Sequence, residues 1–280
     1  MKKFIIFIAA FAIFISAGAF AVEITDLVPV LKQVKKDINS TLSEIDKDLK
    51  GAAKGLSNLD FKGDDARKIL NGLCKFRPYV VDCSIVNADG VKIAVEPEEY
   101  RKYESADRSS LPNVIKLLKD KKPILSDVYE SAEGVNAVSM GYPIFSDKGE
   151  LLGAVRMLIK HELFLKPLAD GKACKIWVMQ PNGLIIYDPD PEEVGRNIFT
   201  DPLYKPFEDL VSFSKTVALS SNGAGSYDFY AGGLTDKTLV KKVAVWDTVG
   251  LYGTEWRVVA MEIQEPIEVK QSTEAKQPGK

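Results

Sequence analysis

The rhythm of apolar and polar positions changes three times along the chain. Residues 4–20 are almost wholly apolar, with Lys2 and Lys3 before them and Glu23 after. From Leu27 the apolar residues recur at Leu31, Val34, Ile38, Leu42, Ile45 and Leu49, with Lys and Asp between them. Steps of three and four predict one long amphipathic helix. Gly51, Gly55 and Gly63 interrupt the pattern, and a second helix is expected over 64–73. After Pro78 the period shortens to that of strands. Residues 79–86 and 91–95 flank the turn Asn87-Ala88-Asp89-Gly90 and predict a hairpin. Residues 97–106 read as a polar loop and 112–119 as a short helix. Strands are expected over 124–130, 137–145 and 151–159, the last two joined by Ser146-Asp147-Lys148-Gly149.

The arrangement then repeats. Residues 176–180, Pro181-Asn182-Gly183 and residues 184–187 form a second strand-turn-strand, and Gly183 takes the place of Gly90. A Pro-rich loop and a helix lead to strands over 225–230, 240–248 and 256–263. The fold class is therefore α+β: a long N-terminal helix and two similar units, each an antiparallel sheet with flanking helices. The expected boundaries are 1–21 for an export signal, 22–75 for a helical stalk, 76–168 and 169–265 for the two units, and 266–280 for a frayed tail.

The leader changes the picture of location. A basic start, an apolar stretch and Ala19-Phe20-Ala21 fit a signal peptide cleaved after Ala21. The alternative is a retained anchor, for which residues 4–20 are short against ~30 Å of hydrocarbon. Either way the remainder is expected outside the cytoplasm, secreted or periplasmic. No later run is apolar enough to cross a membrane, so a signal would pass to a separate partner. In an oxidising compartment Cys74 and Cys83 are candidates for a disulfide, with two free thiols as the alternative, and Cys174 reads as core packing.

Charge and composition narrow the function. With 37 Lys+Arg against 39 Asp+Glu, the net charge of −2 argues against nucleic acid, whose binding needs surplus positive charge. The single histidine, His161, excludes a two-His zinc site and sits between Lys160 and Glu162, where it reads as exposed. No catalytic residue, metal or cofactor is expected. The acidic stretch 187–193 lacks calcium-loop spacing and reads as a solvated loop leading into a helix. Trp246, Trp256 and Arg257 read as the close of a core.

The order of elements resembles the double Cache arrangement of PAS-like extracytoplasmic sensor domains. The resemblance rests on Val86-Asn87-Ala88-Asp89-Gly90, Ser126-Asp127-Val128-Tyr129, Tyr142-Pro143-Ile144-Phe145 and Leu152-Gly153 in the first unit. In the second unit it rests on Gln180-Pro181-Asn182-Gly183, Tyr187-Asp188-Pro189-Asp190-Pro191 and Gly225-Ser226-Tyr227. It implies a non-enzymatic sensor for amino acids, organic acids or amines. The ligand would lie in the membrane-distal first unit, between the sheet and the segment 97–123, with the second unit membrane-proximal. The amino-acid-binding subset has an Arg closely followed by a Trp-Tyr pair, and an acid on the last strand. Here no Trp follows and Arg156 stands where the acid is expected, which disfavours an α-amino acid.

Arg108 and Arg156 are accordingly the candidate grip on a carboxylate, since a guanidinium holds one bidentately. By alternation Arg156 shares a face with Ala154 and Leu158, and a charge there must be paired, solvated or bound to an anion. A salt bridge to Asp127 or Glu133 is the alternative. Tyr103, Tyr129 and Tyr142 either line the pocket or pack in the sheet. Asp107 lies in the segment over the site, and Asp127 is placed to meet an ammonium or Arg156. The expected function is an exported sensor of a small carboxylate-bearing metabolite, coupled to a membrane receptor or sensor kinase in signal transduction or chemotaxis. The long helix reads either as a stalk that joins two copies in a homodimer or as a helix packed along its own domain. The alternative function is a structural protein that dimerises through that helix and binds no small molecule.

Overall fold

The computed structural model describes the backbone of residues 11–266 and the side chains of 24–264. The first ten residues, the tail from 267 and the side chains around the expected cleavage point lie outside the described residues. The long helix is α1, Phe11–Leu56, followed by α2, Asp64–Cys74. Among the described residues no helix is long and apolar enough to cross a membrane.

Two sheets follow. The first contains β1 (Val80–Asn87), β2 (Lys92–Glu96), β3 (Ile124–Leu125), β4 (Tyr129–Glu130), β5 (Asn136–Phe145) and β6 (Leu151–Ile159), in the order β2-β1-β6-β5-β3, with β4 also on β5. A short 3₁₀ helix, Glu98–Tyr103, and α3, Pro112–Asp120, lie between β2 and β3. Helix α4, His161–Ala169, leads to the second sheet. Its strands are β7 (Lys175–Met179), β8 (Ile185–Tyr187), β9 (Gly223–Tyr230), β10 (Leu239–Leu251) and β11 (Thr254–Pro266), ordered β8-β7-β11-β10-β9. Helix α5, Glu208–Leu219, packs on this sheet. The strand expected over 124–130 is broken: β3 and β4 are two-residue pieces, and 126–128 turn toward the second unit.

The apolar seam of α1 is consumed within the molecule. Leu27, Leu31, Val34, Ile38, Leu42, Ile45 and Leu49 are all at most 5% exposed. They share one core with Cys83, Ile85, Met140 and Met157 of the first sheet and with Val178, Val245, Val258 and Ala260 of the second. The helix is thus a spine for both sheets, packed along its own domain, and the seam is not available to join two copies. Polar contacts pin it as well: Lys35 pairs with Asp247 at 2.7 Å, and Arg77 pairs with Asp48.

Each unit repeats one device. The turn glycines Gly90 and Gly183 have φ of +85° and +90°, a region that costs a glycine little. Their carbonyls accept hydrogen bonds from the amides of Arg108 and Ile198, both at 2.9 Å. Isolated bridges Val91–Asp107 and Leu184–Asn197 run alongside. The loop that leaves each hairpin is in this way tied back over the outer face of its sheet, and a cavity lies beneath.

One expectation fails in this region, and one pair of alternatives is resolved. His161 is buried, 2% exposed, at the start of α4, because that helix folds between the sheets; burial pushes its imidazole down to about 4. Cys74 and Cys83 are free thiols rather than a disulfide. Cys74 donates to the carbonyl of Glu96 at 3.4 Å, and Cys83 points into the core, where burial first and the neighbouring Cys74 second push its thiol well up.

Candidate functional site

Strand alternation sorts the first sheet into two faces. Cys83, Ile85, Met140 and Met157 face α1. In the other set, Ser84 pairs across from Arg156, which pairs across from Gly141, and Asp82, Leu158 and Ser139 form the next row. This outer face is polar, and it floors a cavity that Arg108, Leu111 and residues 131–133 close from above.

Arg156 is the centre of that floor. It is 4% exposed, and one terminal nitrogen donates to Ser139 Oγ at 3.1 Å and to Tyr129 Oη at 3.3 Å. Its Nε is buried without a partner, and no carboxylate lies within 4.0 Å of it among the described residues. The expected bridges to Asp127 and Glu133 do not form. Glu133 instead pairs with Lys92 at 2.7 Å, and Lys92 also pairs with Asp82 at 3.0 Å. Burial pushes Glu133 up, but Lys92 outweighs it and holds the carboxyl at about 2. Burial raises Asp82 against the pull of the same lysine. The walls therefore carry Lys92, Arg108 and Arg156 against Asp82 and Glu133, one positive charge in excess. The free volume is 20 Å³, room for one water or the oxygens of a carboxylate.

Of the residues expected at the site, Arg108, Tyr129 and Arg156 come together. The other four do not. Asp107 is exposed and accepts from the Ser109 amide at 2.8 Å, a turn that holds its carboxyl below the usual range. Tyr103 stacks on Tyr100 at 6.4 Å behind Lys92. Tyr142 sits on the face opposite Arg156 and packs against the spine core. Asp127 accepts from the Gln180 side chain, which also accepts from the Val128 amide at 3.2 Å, so it clasps the two units together. Asp82 and Lys92 are not among the expected residues, and Glu133 is expected there only as a partner for Arg156. Asp82 and Ser84 alternate with apolar neighbours on β1, and that alternation was the available signal.

The roof is anchored at one end. Arg67 of α2 reaches Glu96 at 3.0 Å and Glu104 at 2.9 Å, and Arg101 joins Glu96 at 2.7 Å. Arg108, farther along, has no side-chain ion pair among the described residues and is held through its amide on the Gly90 carbonyl.

The second unit holds a larger cavity of 260 Å³ on the outer face of its sheet. Its floor is Trp177 and Met261, and Asp188, Asp190 and Glu193 enter from the loop after β8. The stretch 187–193 is not a solvated loop: Asp190 and Glu193 are 6% and 3% exposed, held inward by the Leu234 and Thr235 amides on Asp190 and the Tyr204 hydroxyl on Glu193. Trp246 and Trp256 are core residues as expected, and Arg257 caps α5, donating to the carbonyls of Val217 at 3.1 Å and Ala218 at 3.3 Å.

Comparison with known proteins gives this geometry a context. Residues 40–161 match the family model described as HK/GC/Chemotaxis protein-like, sensor domain. The chain is similar to an extracellular ligand binding receptor from Desulfohalobium retbaense DSM5692, at 25% identity and a TM-score of 0.69. That match covers 84% of this chain and 40% of the receptor, so the chain spans well under half of that protein's length. The ligand-binding domain of the Campylobacter jejuni chemoreceptor Tlp3, in complex with 4-methylisoleucine, matches at 12% identity and a TM-score of 0.60, covering 88% of this chain and 92% of that one. The ligand binding domain of the Pseudomonas aeruginosa PAO1 amino acid chemoreceptor PctC, in complex with GABA, matches at 18% identity and 0.57, covering 85% and 98%. Comparison with the curated proteins gives no match. The long helix and two antiparallel sheets share the fold of these double Cache structures, and residues 40–161 are similar to the HK/GC/chemotaxis protein-like sensor domain.

Proposed function

We infer that the first unit binds a small organic acid and that the protein is the exported input module of a signalling system. One observation carries the ligand class: Arg156 is a buried guanidinium with no anionic partner, facing a cavity with one positive charge in excess. Such a charge is costly until an anion meets it. The solved relatives named above include complexes with 4-methylisoleucine and GABA, each of which carries an ammonium as well as a carboxylate. In this chain Lys92 already occupies Asp82 and Glu133, the acids that an ammonium would need. A carboxylate without an amine therefore fits the walls better than an amino acid. With 20 Å³ of free volume, a ligand with any body requires the roof at 104–111 to move outward, and that displacement is the natural conformational signal. A membrane receptor or sensor kinase would read it, as the family match supports. The competing structural reading, in which the stalk joins two copies, loses its surface because the seam is buried in its own core.

The test is a thermal-shift series with acetate, lactate, succinate and benzoate against leucine, valine and GABA. A ligand that binds only the folded chain raises the midpoint, by ~2.7 kcal/mol at a hundred times its dissociation constant. The expected result is a shift from at least one acid, abolished by Arg156→Gln. A response only to amino acids, or one indifferent to Arg156→Gln, overturns the assignment.

A further inference from the structure

The larger cavity of the second unit has the opposite electrostatic character. Its apolar walls are Trp177, Tyr204, Tyr227 and Phe229. Asp190 is fully engaged by the backbone: it accepts from the amides of Leu234 at 2.6 Å, Thr235 at 3.3 Å and Glu192 at 3.0 Å. It shapes the loop but keeps its charge, so the cavity carries Asp188, Asp190 and Glu193 against Lys175 and Lys242, of which Lys175 donates to the Ala231 carbonyl at 3.0 Å.

Of these, Asp188, Glu193 and Lys242 do not neutralise one another. Lys242 is 3% exposed, has no ion pair among the described residues, and lies 5.4 Å from the centre of the Phe229 ring. Glu193 accepts the Tyr204 hydroxyl through Oε2, while its Oε1 is buried without a partner. Asp188 accepts only the Asp190 amide, at 2.8 Å. Three carboxylates against two ammoniums leave the cavity one negative charge in excess. Burial pushes Glu193 up and Asp188 up to about 7, and it pushes Lys242 down to about 8, the signature of charges that lack adequate partners.

A metal does not answer this arrangement. Among the described residues no three His, Cys, Asp or Glu side chains gather to hold one. A primary ammonium does. It supplies the donor that Glu193 Oε1 lacks, cancels the surplus charge, and presents an apolar body to four aromatic rings, whose faces attract cations. The 260 Å³ volume suits a molecule of that size. We propose that the second unit is a separate binding site for a small protonated amine, held by Glu193 and Asp188 inside the aromatic walls. The two units would then sample ligands of opposite charge. This site is independent of the acid proposed for the first unit.

Calorimetric titration of the purified chain with isobutylamine and phenethylamine tests it, with isobutanol and phenethyl alcohol as uncharged matches. Saturable binding of an amine, with no binding of its alcohol, is the expected result. Glu193→Gln should weaken that binding at least tenfold, and Arg156→Gln should leave it unchanged. Where Glu193→Gln fails to fold, Asp188→Asn serves in its place, since the amide keeps the acceptor for the Asp190 amide. Tryptophan emission gives a second readout, because an amine in this cavity lies against Trp177; Trp177→Phe should remove the amine-dependent change. The proposal is overturned if neither amine binds, if alcohol and amine bind alike, or if butyrate binds in their place and Lys242→Met abolishes it.

Discussion

The two units are built to one plan and diverge in where their charges sit. Both tie a loop back over a hairpin glycine, and both bury one sheet face on the same helix. In the first unit the floor itself is charged, with Asp82 and Arg156 rising from the strands. In the second the floor is aromatic and apolar, the carboxylates hang from a loop, and Lys175 and Lys242 are the strand charges. The first cavity is small and positive, the second roomy and negative. The lesson is that the fold supplies a covered sheet face, and a few alternate strand positions decide what the cover can hold.

The largest expected effect would break the units' shared dependence on α1. Leu42→Ala removes a fully buried side chain from the common core and should cost ~2–5 kcal/mol. All three tryptophans lie in the second unit, whereas the buried Cys83 reports on the first. Fluorescence and thiol labelling should therefore fall at the same, lowered denaturant midpoint. Separate midpoints would show that the spine does not couple the sheets.

Next in size is His161, whose neutral form is favoured by burial between the units. Its folded value of about 4 lies below its ordinary 6.5, so the unfolded chain binds the proton first. Stability is full above pH 6.5 and declines as pH falls toward 4, by ~3 kcal/mol at most. His161→Gln should flatten this part of the profile in a series of urea titrations.

Asp188 runs the other way and sharpens the contrast. Its folded value of about 7 is raised, so the stability tied to its protonated form is lost as pH rises through 7. Asp188→Asn should stabilise the ligand-free chain at pH 8 by ~1–2 kcal/mol, well short of the full shift because water reaches part of the carboxyl. The gain should shrink toward pH 4. The smallest effect belongs to Arg156→Gln. Removing an unpaired buried cation should move the ligand-free melting midpoint by no more than ~2 °C while eliminating response to acids.

The periodic parts of the molecule were legible in the sequence. The α1 seam, the span of β6 and both hairpin turns followed from apolar spacing and turn residues alone. Alternation also placed Arg156 on the right face, and the same rule, applied to β1, would have found Asp82 and applied to β5 would have turned Tyr142 away. What periodicity could not show was tertiary closure. The partner of Arg156 was sought in Asp127 or Glu133, but Asp127 clasps Gln180 across the units and Lys92 claims Glu133. The stretch 187–193 reads as solvated by composition, yet contacts from Tyr204 and the 234–235 amides hold its acids over an aromatic floor. His161 sat among charged neighbours in sequence and was buried by the docking of α4.

The spine also sets a problem of timing. Lys35 and its partner Asp247 are separated by 212 positions, and the seam between them finds its last apolar neighbours only in β10 and β11. At ordinary synthesis rates of ~5–20 residues per second, that is a wait of roughly 10–40 s. Throughout it the earliest-made helix presents a bare stripe of leucine, isoleucine and valine. A nascent chain halted before residue 239 should accordingly bind a hydrophobic dye such as ANS, and the completed chain should release it.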